Sequence, residues 1–280
     1  MAEWEAPAKV NLDLRVGSLD RSGKHPLHSL VQTVDLADDL SVGEGDEDVL
    51  WVEGAALPEG GENLVWKAVS ALGLTSRPPL RIELRKRIPV AAGLGGGSSN
   101  AAATLAAVGE MLKLDTAVVR EAAVGVGSDV PLFLVGGTMV LEGYGEKVES
   151  APPLDGFALA LAVPQFELST PEVYRRWDEL GEPVGDELSG RALPPSLRPY
   201  GEIRNDLTPA ALSLRPELGD WIDDLCARWE RPVLMSGSGP SCFAFFLDRD
   251  EAEDALDAVV DARTAVATDL RPRGVARRSE

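Results

Sequence analysis

Cysteine and histidine are scarce in this 280-residue chain, with two of each. Cys226 and Cys242 are too few for a disulfide scaffold, and a reducing cytoplasm is the expected compartment. His25 and His28 alone exclude a multi-histidine metal site. The longest apolar runs, such as Phe157 to Val163, fall far short of the roughly 20 residues that a membrane span needs. No apolar segment follows a basic start, so no secretory leader is expected. Positive charge is also in deficit: 27 Lys plus Arg stand against 46 Asp plus Glu, a net charge of −19. That balance weighs against a nucleic-acid partner or an anionic membrane surface. Only six of the basic residues are lysines, which makes Lys9 and Lys24 conspicuous. The remaining composition is ordinary, 44% hydrophobic and 26% charged, and excludes disorder, collagen and coiled coil. The length suits two domains of about 130 to 150 residues.

The patterning mixes strands and helices in an α+β arrangement. Val10, Leu12, Leu14 and Val16 alternate with polar residues and predict a half-buried strand, as do Leu80, Ile82 and Leu84. Residues 62–74 and the alanine-rich 99–113 predict helices, a short helix follows from Asp115 to about Val124, and a strand covers Thr138 to Glu142. Pro152, Pro153 and the Asp155-Gly156 turn signal interrupt the pattern. A boundary there gives domains 1–152 and 153–280. The second opens with an apolar strand, Phe157 to Val163, and a helix capped by Thr170 with Pro171 at its first position. A Gly/Pro-rich loop over 181–200, helices 217–229 and 250–262, and strands 232–235, 242–248 and 264–270 complete it.

Four stretches can carry chemistry. Pro89 to Asn100 holds Gly93, Leu94, Gly95, Gly96, Gly97, Ser98 and Ser99 between a strand and a helix. Glycines let backbone N–H groups converge on an anion, and the helix N-terminus points its dipole at the same place. The expected ligand is a nucleotide phosphate, and a branched side chain at Gly96 should fill the space the phosphates need. No Lys follows the glycines as a Walker loop requires, and Ser98 occupies the third glycine position of a Rossmann fingerprint. Asp129 lies in a glycine turn, Gly127-Ser-Asp-Val-Pro131, before an apolar segment read as a strand; it is either a turn aspartate or a carboxylate aimed into a cleft. Lys9 and Asn11 share one strand face, as a binding pair or as an edge-strand lysine and its neighbour. Ser236-Gly237-Ser238-Gly239-Pro240 is either a tight hairpin or a second loop over phosphates.

Taken together and in this order, Pro7-Ala-Lys9-Val-Asn11, the Gly93 to Asn100 loop, Asp129 with its flanks, and Ser236 to Pro240 resemble the GHMP kinase family. The resemblance implies an N-terminal domain like ribosomal protein S5 domain 2, a ferredoxin-like C-terminal domain, and a cleft between them. It implies a cytoplasmic small-molecule kinase that uses ATP and Mg2+, as a monomer or homodimer. The branch most similar phosphorylates the 2-hydroxyl of 4-diphosphocytidyl-2-C-methyl-D-erythritol, in the non-mevalonate route to isoprenoids. Alternatives are a family member with another alcohol substrate and a non-catalytic ligand-binding relative. By the same resemblance, Pro89 and the loop from Gly93 to Ser99 bind the ATP phosphates. Lys9 and Asp129 are catalytic, and Asn11, His25, Asp129, Gly237 and Ser238 hold the acceptor. Ser99 is a candidate magnesium ligand. His25 matches the position that reads the cytosine ring, but Lys24 stands before it where an aromatic is usual, and Pro26 after it where an acid is usual. Either Phe166 or Tyr174 supplies a stacking face, or the Lys24 ammonium meets a substrate phosphate.

Overall fold

A computed structural model describes residues 1–278. The first part runs β1 (Ala2–Val16), β2 (Leu27–Glu44), β3 (Val49–Glu53), α1 (Leu64–Ala71), β4 (Leu80–Arg85), α2 (Gly96–Met111), α3 (Thr116–Val126), α4 (Val130–Val135), β5 (Thr138–Glu142) and β6 (Lys147–Ser150). The rest runs β7 (Ala158–Pro164), α5 (Thr170–Glu179), α6 (Thr208–Leu214), α7 (Glu217–Trp229), β8 (Leu234–Met235), β9 (Cys242–Phe246), α8 (Arg249–Leu256), β10 (Ala262–Asp269) and β11 (Ala276–Arg277). Two sheets form, one with the path β11-β1-β2-β4-β3, with β5 paired to β2 and β6 to β5, the other in the order β10-β7-β9-β8. The chain end thus returns to the first sheet, where β11 lies antiparallel to β1.

Alternation within the strands explains how the layers stack. Leu159, Leu161 and Val163 of β7 and Phe243 and Phe245 of β9 meet Ala8, Val10 and Leu12 of β1 in a core between the sheets. The opposite parity, Ala158, Ala160, Ala162, Ala244 and Phe246, packs on helices of the second part, including Val173, Trp177 and Leu225. On the far side of the first sheet, α1 to α4 bury Val65, Leu105, Val108, Leu132 and Phe133 against Leu40, Ile82 and Leu84. β1 is therefore covered on both faces and buried from Ala6 to Leu14, not half-buried as its alternation suggests. β4 does alternate buried and exposed as expected.

Three further expectations are corrected. The apolar run after Asp129 is the helix α4 rather than a strand; a six-residue apolar run carries no decisive period. Ser169, not Thr170, occupies the N-cap of α5. α2 begins at Gly96, three residues before the alanine-rich stretch predicted, because the glycine loop itself turns into the helix. The longest strand, β2, carries no clean alternation: it buries Asp38 and shifts register against β1 between Pro7 and Ala8 and between Asn11 and Asp13. Such bulges re-aim side chains, and these two flank Lys9 and Asn11.

Candidate active site

One cavity of about 780 Å³ is lined by Lys9, Asn11, His25, Pro89, Gly93 to Ser98, Asp129, Gly237 and Ser238. Every site residue predicted from the sequence lines it except Ser99, which is buried in the first turn of α2.

Lys9 is buried on β1 and its Nζ donates to Asn11 Oδ1. Asn11 Nδ2 donates to Ser29 Oγ at 2.8 Å, and that hydroxyl donates to the Asp13 carbonyl at 2.6 Å. This relay fixes which face of the Asn11 amide meets the lysine. Asp129 Oδ2 lies 3.9 Å from Lys9 Nζ, with 38% of its side chain exposed. Asp129 occupies the N-cap position of α4 but makes no capping hydrogen bond there, and Pro131 removes one donor from the first turn. The carboxylate is left to the cavity. Burial pushes the Lys9 ammonium below the usual lysine pKa, and the Asp129 charge offsets part of that.

The glycine loop is held by main-chain and hydroxyl contacts. Leu94 O accepts from the Lys9 amide at 3.0 Å, Gly93 O accepts from Ser236 Oγ at 3.3 Å, and Ala92 O accepts from the Ser241 amide at 3.3 Å. Gly93 (φ 76°) and Gly95 (φ 71°) require the left-handed region. A Cβ on Gly93 would strike the Ser236 carbonyl, and one on Gly95 would lie 2.7 Å from Phe133 Cζ. Gly96 differs from expectation. Its φ is not positive, and a Cβ there would meet Ile88 Cγ2 at 3.0 Å and Lys86 Nζ at 3.1 Å. Gly96 is small so that the first turn of α2 can rest on the protein.

Below that turn lies a buried cluster which the sequence reading missed. Lys86 Nζ pairs with Asp38 Oδ2 and donates to Asn100 Oδ1 at 3.0 Å. Asn100 Nδ2 donates to Asp38 Oδ2 at 2.8 Å, and Asp38 Oδ1 accepts from the Arg87 and Ile88 amides at 2.7 and 2.8 Å. The cluster ties β2 to the end of β4 and to α2. The rarity of lysine was the available signal for Lys86; nothing marked Asp38.

At the other end of the cavity, His25 Nδ1 faces the Gly17 carbonyl at 3.1 Å, and Nε2 lies 3.4 Å from Asp178 Oδ2. Its ring packs on Tyr174 at 5.3 Å and edge-on to Trp177 at 5.6 Å. Tyr174 lines the cavity, and burial together with the Asp129 charge pushes its phenol up to about 12. Phe166 lies elsewhere, under the Arg215 guanidinium at 5.8 Å. The 236–239 turn joins β8 to β9 as a hairpin and also walls the cavity. A Cβ on Gly237 would come within 3.2 Å of Asn11 Oδ1 and 3.4 Å of Lys9 Nζ. Asn205, unremarked as a site residue in the sequence, donates to the Met235 and Gly237 carbonyls at 2.8 Å each. The Thr170 hydroxyl lies 2.7 Å from Ser238 Oγ, joining α5 to that turn.

Known proteins resemble this chain in sequence and fold. The family descriptions "GHMP kinases N terminal domain" and "GHMP kinases C terminal" match residues 63–137 and 175–263. A Geobacter metallireducens protein named 4-diphosphocytidyl-2-C-methyl-D-erythritol kinase is 36% identical over 269 residues, covering 92% of this chain and 94% of its own. A Corynebacterium glutamicum protein of the same name is 36% identical over 278 residues, covering 92% and 89%. A crystal structure of 4-(cytidine 5'-diphospho)-2C-methyl-D-erythritol kinase superposes with a TM-score of 0.75 at 33% identity, covering 96% of this chain and 98% of its own. Homoserine kinase from Cytophaga hutchinsonii superposes with a TM-score of 0.69 at 18% identity, covering 99% and 96%; it shares the fold.

Proposed function

The chain belongs to the GHMP kinase family, and from that premise we propose that it moves the γ-phosphoryl group of ATP to the 2-hydroxyl of 4-diphosphocytidyl-2-C-methyl-D-erythritol. The step serves isoprenoid precursor synthesis in the cytoplasm. The observation that carries the reading is the Lys9–Asp129 pair, 3.9 Å apart and lining the same cavity as the glycine loop and His25.

Phosphoryl transfer needs alignment, charge neutralisation and removal of the hydroxyl proton. The loop from Gly93 to Ser98 and the N-terminus of α2 offer backbone donors for the ATP phosphates. Asp129 takes the proton from the 2-hydroxyl as its oxygen forms the bond to the γ-phosphorus. The bond from that phosphorus to the bridging oxygen breaks, and ADP leaves. Lys9 offsets charge on the group in transit; the nucleotide phosphates raise its proton affinity again, reversing the effect of burial. Asn11 keeps the ammonium in place. Ser99 Oγ, fully buried without a hydrogen-bond partner, supports a magnesium nucleotide at this loop. Ser99 is the residue proposed to face the ion, which when bound screens the phosphate charge. Among the described residues no three His, Cys, Asp or Glu side chains cluster as metal ligands, so the nucleotide itself would supply most of the coordination.

Tyr174 is proposed as a stacking face for the cytosine, and His25 as a contact to its edge. The division at 152/153 gives the loop to the first domain and α5 with the 236–239 turn to the second. Among the described residues no helix is long and apolar enough to cross a membrane. The test is ATP turnover with the cytidyl acceptor against mevalonate, homoserine and galactose. Turnover with the cytidyl acceptor alone is expected; preference for an acceptor without cytosine would leave the family and remove the substrate.

A further inference from the structure

Three lysines line the cavity. Lys9 pairs with Asp129 and Lys86 with Asp38. Lys24 differs: among the described residues its ammonium has no carboxylate within ion-pair distance, and it lies over the Tyr144 ring, 5.2 Å from the centroid. In a chain of net charge −19, a cation seated on an aromatic face and open to the cavity is set apart for an anion that arrives from outside.

Its support is built rather than incidental. The Tyr144 hydroxyl donates to Asp20 Oδ2, and Ser22 Oγ lies 3.1 Å from the same hydroxyl. Asp20 Oδ1 accepts from the Ser22 amide at 2.8 Å and from the Lys24 amide at 3.4 Å, and Lys24 O accepts from the Asp20 amide at 2.9 Å. These donors, Ser22 first and Tyr144 next, hold the Asp20 carboxyl below the usual carboxylate range. Its charge is spent on fixing the turn and the ring.

The position of this platform matches the order of groups in the acceptor. Lys24 is bonded to His25, the proposed cytosine end. Tyr144 is bonded to Gly145, whose Cβ position lies 3.5 Å from Ser128 Cβ and 3.7 Å from Asp129 Oδ1, the proposed reaction end. The lysine and its ring thus bridge the two ends. In the acceptor, the group between the cytidine and the erythritol is a diphosphate. We propose that Lys24, carried on the face of Tyr144, binds that diphosphate and is a specificity-determining residue for nucleotidyl-linked acceptors. The inference rests on the function proposed above and adds the recognition of its central group.

The test compares wild type, Lys24→Met and Lys24→Arg by steady-state kinetics, with cytidine and CDP as competitors against the cytidyl acceptor. A charge-assisted contact of this kind is worth about tenfold in binding. Lys24→Met should raise the KM for the acceptor about tenfold, keep the KM for ATP within twofold, and erase most of the advantage of CDP over cytidine. Lys24→Arg should keep that advantage. Tyr144→Leu, which removes the platform but not the charge, should give a smaller loss in the same direction. If wild type turns over the cytidyl acceptor while Lys24→Met keeps its KM and its CDP preference, the inference alone is overturned. A rise confined to the KM for ATP overturns it in favour of the nucleotide donor. No turnover of the cytidyl acceptor by wild type overturns the proposed function and this inference with it.

Discussion

The two ends of the cavity are built from different materials. The proposed phosphate end is main chain: two glycines with positive φ, helix N–H groups, and a loop pinned through the Ala92, Gly93 and Leu94 carbonyls. The proposed acceptor end is side chain: His25, Lys24, Tyr144 and Tyr174, drawn from three separate stretches of the chain. A main-chain site needs particular residues chiefly to clear space, so it tolerates little change. A side-chain site can exchange one group for another while keeping its task. The Lys9–Asp129 pair sits where the two meet.

The sharpest break should come at that junction. Asp129→Asn should lower turnover by about a hundredfold or more, the scale of a positioned general base, with nucleotide affinity retained in calorimetry. Near wild-type turnover would make Asp129 a turn residue. The next largest effect should separate two glycines of one loop. Gly93→Ala faces a φ penalty of about 1–2 kcal/mol and a collision with the Ser236 carbonyl. It should weaken nucleotide binding by more than about tenfold and lower the thermal midpoint. Gly96→Ala carries no φ penalty, meets only the Ile88 and Lys86 side chains at 3.0 and 3.1 Å, and should do clearly less. Equal losses would deny that Gly93 is the closer contact between loop and turn.

At the acceptor end, Tyr174→Leu should raise the acceptor KM by about tenfold, since a base stacked on an aromatic is worth about 1–3 kcal/mol, and should leave the KM for ATP within twofold. A matching change for ATP would mean that the two ends are not separable. The smallest effect is a displaced pH limb. Burial lowers the Lys9 proton affinity, so kcat/KM for ATP should fall as pH rises through a value below that of an ordinary lysine. The unfolded chain holds that proton more strongly, so Lys9's contribution to stability rises with pH across the same window. Asp129→Asn removes the offsetting charge and should move the limb lower still. A limb at or above the ordinary lysine value would contradict the burial.

The same contrast explains what the sequence reveals. Glycines and serines at a strand-to-helix junction announce a backbone site, and Lys9, Asn11, Asp129 and the 236–239 turn line one cavity with it. Tyr174 and Phe166 are equivalent candidates in the sequence, and only the fold separates them, placing Tyr174 in the cavity against His25 and Phe166 under Arg215. Asp38, Lys86 and Asn100 form one buried cluster from three distant positions, with no local pattern to mark it. The half-buried reading of β1 failed because its polar face, Lys9, Asn11 and Asp13, is buried as well, under the glycine loop, the 236–239 turn and the Arg204 main chain, which its own alternation cannot report. The α4 run failed because six apolar residues suit either a helix or a strand.

Phosphorus NMR of the product is the most direct test of the account. After incubation with ATP and 4-diphosphocytidyl-2-C-methyl-D-erythritol, it should show one new phosphomonoester coupled to the erythritol 2-position, ADP in equal amount, and an intact cytidyl diphosphate. Release of CMP, or ADP without a new ester on that carbon, would contradict it.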